Sequence, residues 1–272
     1  MKTKLSTMRT KLTLFALLIP AATCPASPIA NWKVMFDPNA KNPATTGLNT
    51  DSPVFGGTDP VNQMDAIAVA SLFGTASSPA SVTLAVGESL TVSATITLTG
   101  GVSGVDAYRF AVLNDAGKFS VPSSDNWGGG WVHVISYSSS GEMFQAKTNG
   151  NYMSTTSNAV DLNAEKAYAG GALSADSATP YLWTMSITRD SETTVDLVSS
   201  FVGGPNDYSM TYTSNDVATS LFTYNSVGIQ ATSFSDLDQL SVSGAQFSVV
   251  PEPSAALLGG LGMLALLRRR RH

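Results

Sequence analysis

The chain has 272 residues, one cysteine, and a formal net charge of −5. Charged residues make up 13%, about half of the roughly 25% found in ordinary globular domains. A disulfide framework is excluded, so the fold must rest on a buried core. From Asn31 to Val250 there are 7 Lys+Arg against 19 Asp+Glu, a balance that repels nucleic acid and anionic membrane surfaces.

The N-terminus carries Lys2, Lys4, Arg9 and Lys11, then an apolar run from Leu12 to Ala22. Small residues follow at Ala26 and Ala30, each able to stand before a cleavage point. Basic, apolar and small in that order describe a secretory signal peptide, expected over residues 1–30. A membrane anchor would need about 20 apolar residues, and Pro20 cuts this run short. Cys24 has Ala21 and Thr23 where a lipoprotein signal would want a large aliphatic residue and Gly or Ala, so lipidation is not expected.

Residues 31–248 form the body, with neither a Gly/Pro-rich linker nor an internal repeat. Period-two alternation dominates it. In Ser89–Thr99, Leu90, Val92, Ala94, Ile96 and Leu98 share one face, with Thr and Ser on the other. The segments 107–113, 131–137, 181–188, 208–213 and 227–232 are expected as strands for the same reason. Thr148-Asn149-Gly150-Asn151 has the composition of a tight hairpin turn, and Asp161–Tyr168 is expected as a short helical turn. From Leu240 to Val250 the parity changes, because Leu240 and Val242 fall opposite Phe247 and Val249 unless one residue is extra. Gly244 is the expected bulge. About ten to twelve such strands predict an all-β fold, a single antiparallel two-sheet sandwich of jelly-roll type.

Residues with chemistry are sparse in this body. His133 is its only histidine, too few for a zinc site without cysteine ligands, and it reads as structural. No nucleophile motif or phosphate loop accompanies it. Its four glutamates (Glu88, Glu142, Glu165, Glu192) do not form the Glu-x-Asp-x-x-Glu pattern of a glucanase, so no catalytic residue is assigned. Asp125, Asn126 and Trp127 sit in a glycine-rich stretch, SSDNWGGGW, and form the candidate ligand-binding group. The competing reading folds Trp127 back over the sandwich edge, since Trp is mostly buried. Trp183 alternates with Tyr181, Met185 and Ile187 and reads as core. Asp236 and Asp238 lie two apart, as Ca²⁺ ligands can, but no calcium loop of known spacing surrounds them. They read as solvated acids, and no metal or other cofactor is expected.

The last segment, residues 249–272, begins Val249-Val250-Pro251-Glu252-Pro253 and ends with Arg268, Arg269, Arg270 and Arg271 before His272. Between them, Ala255–Leu267 is uncharged and helical in length for about 20 Å at ~1.5 Å per residue. A bilayer core is about 30 Å thick, so the run makes a marginal anchor that the arginine stems extend by snorkelling. The arginines should stay cytoplasmic as the membrane stop. Gly259, Gly260 and Gly262 disfavour a water-soluble helix here. Proline on both sides of Glu252 keeps that peptide extended and open to a protease.

Pro251-Glu252-Pro253, the apolar helix and the arginine cluster, in that order at the C-terminus, resemble the PEP-CTERM sorting signal of Gram-negative bacteria. That resemblance implies an exosortase as partner, cleavage at the tripeptide, and passage to the cell surface or an exopolysaccharide matrix. In the body, AYRFAVLNDAGKF (107–119) and the stretch from YNSVGIQ to SDLDQLSVSGAQFSV resemble strands of concanavalin-A-like or laminin-G-like sandwiches. The expectation is a non-enzymatic exported protein, held briefly in the inner membrane. The alternative is a lectin-like carbohydrate-binding module, and less favoured is a polysaccharide-acting enzyme.

Overall fold

The computed structural model describes residues 25–36, 44–56, 67–100, 107–114, 132–137, 143–146, 159–171, 173, 177–232 and 237–251. They fall within one compact unit, Thr23–Glu252. Every regular element among the described residues is a strand.

The alternation in Ser89–Gly100 does what its sequence requires. Leu90, Val92, Ala94, Ile96 and Leu98 are all buried on one face. On the other face the hydroxyls pair across strands: Ser89 with Thr188 at 2.7 Å, and Thr91 with Ser186 at 2.9 Å. Each such cross-strand pair is worth about 0.2–1 kcal/mol.

This strand is central to an eleven-stranded sheet. On one side of it lie Ser177–Arg189, Thr194–Gly203, Tyr208–Ala218 and, at the edge, Glu165–Ala169. On its other side lie the closing strand Leu237–Val250, then Ser27–Ala30 and the two-residue strands Gly74–Thr75 and Ser78–Pro79. Val54–Gly56, paired in turn with Thr45–Thr46, also adds to the closing strand. The second sheet has seven strands, in the order Ala159–Asp161, Met143–Ala146, Val132–Tyr137, Ala107–Leu113, Ser226–Thr232, Ile67–Leu72 and Trp32–Phe36.

The two sheets meet face to face through aromatic rings. Phe110 of the smaller sheet stacks on Trp183 of the larger at 4.7 Å between centroids. Tyr108 packs on Phe201 at 5.2 Å, and Tyr181 stacks on Phe201 at 4.7 Å. The Trp183 indole N–H is satisfied inside by the Ser199 hydroxyl at 3.2 Å, which itself donates to the Thr184 carbonyl. Trp183 is therefore core, as its alternation requires.

The closing strand carries the expected bulge. Leu240 pairs with Leu98 and Val242 with Ile96, but Phe247 pairs with Val92, so one residue is extra between Ser243 and Gln246. Gly244 supplies the positive φ of 59° there, a conformation open to glycine without a Cβ penalty. The extra residue returns Ala245 and Phe247 to the core face.

Other expectations change. The helical turn at Asp161–Tyr168 is instead two strand ends: Ala159–Asp161 edges the smaller sheet and Glu165–Ala169 edges the larger. Asn163, at φ 47°, turns the corner between them. Local helix propensity in AEKAYA yields here to pairing with Tyr208–Ala218. One pair departs from the antiparallel plan, since Ser27–Ala30 runs parallel to Gly74–Thr75. The 131–137 strand begins at Val132, and the turn at 148–151 lies outside the described residues.

Candidate functional site: the end of the closing strand

Val250 and Pro251 are positioned by the closing strand, which is held on both sides. One flank pairs with Ser89–Gly100 as far as Val249 with Leu90 and Val250 with Ser89. The other flank pairs Gln246 with Pro28 and Phe247 with Ser27. Phe247 stacks on Phe73 at 4.6 Å, and Val249 packs against the core. Val250 is the last strand residue and Pro251 the last described one. Proline has no N–H to donate, so the ladder ends where the tripeptide begins. No spacer separates body from motif.

The partner ladder is tied down at the same end. Gly87 N–H donates to the Arg189 carbonyl at 2.7 Å, and Ala85 N–H donates to the Glu88 carboxylate at 2.8 Å. Arg189 donates through Nη1 to the Leu84 carbonyl at 2.8 Å, and its guanidinium lies 3.9 Å above the Phe222 ring. The turn before Ser89 is thus pinned beside the strand end that carries Val250. Because Ser27 faces Phe247 in an antiparallel pair, the chain before Ser27 leaves the sheet at the same end as Pro251.

Glu252, Pro253 and Arg268–Arg271 lie outside the described residues, as do Asp125, Asn126, Trp127 and Asp236. The segment holding Trp127 joins two paired strands, since Leu113 pairs with Val132. Asp238 is half-buried on the closing strand. His133 pairs through its backbone with Val112 and Gln145. Among the described residues no group of three His, Cys, Asp or Glu side chains could hold a metal ion. No helix among them is long and apolar enough to cross a membrane.

A polar pair that sequence reasoning passed over lies on the smaller sheet. Arg109 faces Gln230 across the ladder and donates to its Oε1 through Nη1 at a long 3.5 Å. Burial lowers the guanidinium from its ordinary value, although an arginine stays protonated in any case. Its signal was the single charge inside AYRFAVL, on the face opposite Tyr108, Phe110 and Val112.

Residues 249–271 match the model of the PEP-CTERM protein-sorting motif. No curated protein matches the sequence. Among solved structures, the Emp47p carbohydrate recognition domain is 10% identical, with a TM-score of 0.45 over 83% of this chain and 94% of that one. A lectin from Bauhinia forficata in complex with GalNAc is 8% identical, with a TM-score of 0.45 over 85% of this chain and 100% of that one. An endo-1,3-beta-glucanase from Streptomyces sioyaensis is 12% identical, with a TM-score of 0.42 over 83% and 92%. At such identities no functional residue is carried across.

Proposed function

We propose that this chain, which bears a PEP-CTERM protein-sorting motif at residues 249–271, is a non-enzymatic surface or matrix protein delivered by an exosortase. The motif indicates export and exosortase targeting. The finer reading is that the anchor formed by 255–267 and Arg268–Arg271 holds the exported sandwich in the inner membrane until the Pro251-Glu252-Pro253 peptide is cut. The observation that carries it is the direct join of Val250 to Pro251: the scissile motif starts where the ladder stops, on a body already closed by its last strand.

The test is processing in a Gram-negative host with its exosortase. Glu252→Ala and Pro253→Ala should leave protein with its C-terminal tail intact in the membrane fraction, while the parent chain is cut. Unchanged processing in both variants would defeat the reading.

A second reading, carbohydrate binding by the body, is supported by the Arg109–Gln230 pair. The half-buried Arg109 guanidinium supplies donors of the kind that sugar hydroxyls accept from, while the buried Gln230 carboxamide holds it in place. Glycan-array binding by the purified body, lost in Arg109→Ala with folding retained, would favour it. Silence across matrix polysaccharides would remove it.

A further inference from the structure

We propose that the leader is removed between Ala26 and Ser27, so that the mature chain begins on the first residue of the sandwich. This inference rests on the export reading and adds the processing site at the other end.

The sequence offers Ala26 and Ala30 as residues before a cut. They differ in what a cut would remove. Ser27–Ala30 is a strand of the larger sheet, seated between the closing strand and Gly74–Thr75. Ile29 is fully buried and Ala30 is 3% exposed. The buried Trp32 indole donates to the Ile29 carbonyl at 3.1 Å. A cut after Ala30 would delete the strand, uncover the flank of Gln246 and Phe247, and leave that indole N–H buried without its acceptor. An orphaned buried donor bears the full desolvation penalty.

A cut after Ala26 leaves every described strand whole. Pro25 and Ala26 are exposed and belong to no strand. The residue types agree: small residues are needed at the cut and two positions before it. For Ala26 those are Ala26 and Cys24, whereas for Ala30 the earlier position is Pro28. Water adds across the Ala26–Ser27 amide, leaving a carboxylate on Ala26 and an amine on Ser27. That amine emerges beside Phe247, at the end of the sheet where the sorting motif leaves.

The experiment expresses the full chain in a Gram-negative host, fractionates it, and reads the N-terminal peptide by mass spectrometry. The expected mature species starts at Ser27. Ala26→Tyr, which alters only an exposed side chain of the precursor, should abolish that species and leave uncut precursor. An exported chain starting at Asn31, at Thr23 or at a lipidated Cys24 overturns the inference while export stands. So does unchanged cutting of the Ala26→Tyr variant. A chain retained in the cytoplasm with its leader attached takes down the export reading, and this inference with it.

Discussion

The closing strand Leu237–Val250 and the edge strand Glu165–Ala169 belong to the same sheet and obey different rules. The closing strand pairs on both flanks and turns Leu240, Val242, Ala245 and Phe247 into the core. The edge strand pairs on one flank only, and all five of its side chains are exposed. The first is held by burial, the second by the backbone bonds of its neighbour. The contrast bears on the proposed function, because the interior strand is also the last described strand in chain order. The larger sheet is complete only with residue 250, immediately ahead of the Pro251-Glu252-Pro253 tripeptide.

Alkali should break the interior most completely. Burial raises the phenols of Tyr108, Tyr208 and Tyr224 above their ordinary value of 10.0. The folded state therefore keeps protons that the unfolded state gives up. Their contribution to stability is fully present below about pH 10 and is lost as the pH rises toward the folded values. Denaturant titrations should show stability falling steeply above that point, with tyrosinate absorbance from these rings appearing only as the fold is lost. Full ionisation of all eight tyrosines in an intact fold would contradict this.

Among point changes, Phe247→Ala should be the most damaging, because it removes the ring stacked on Phe73 inside the core. The expected loss in unfolding free energy is about 3–5 kcal/mol. Gly244→Ala should cost about 1–2 kcal/mol. A Cβ there meets nothing within 4 Å, so the whole effect would come from the positive φ. Tyr168→Ala, at the exposed edge, should change stability by about 0.5 kcal/mol or less, even though its hydroxyl donates to the Gly171 carbonyl. An edge variant as costly as Phe247→Ala would erase the distinction between the two strands.

The same contrast explains what could be read in advance. Alternation marks Ser89–Gly100 because one face of it is buried, whereas Tyr108–Leu113 is buried on both faces except at Arg109 and is marked by its apolar run instead. The bulge at Gly244 was legible because burial must resume on the correct face after the extra residue. Glu165–Ala169 has no buried face to write a pattern, so its sequence shows only helix propensity, and the pairing that decides its shape comes from Tyr208–Ala218. Pairing partners are long-range facts: Ser27 meets Phe247 and Ile29 meets Gly74, neither signalled by local composition. The sorting motif was legible for the opposite reason. Its parts are adjacent in the chain, and each is written as a local sequence property: flanking prolines, apolar length, terminal charge. Arg109 and Gln230 had no such local code, and only the ladder brings them together.

The most direct measurement is the intact mass of the protein recovered from the surface and medium fractions, with and without the host exosortase. With the enzyme, the chain should end within the Pro251–Pro253 tripeptide and lack Arg268–Arg271; without it, chain that keeps its tail through His272 should stay with the membrane. Released protein still ending in His272, or identical masses from both strains, would contradict the proposal that the tail is a temporary tether.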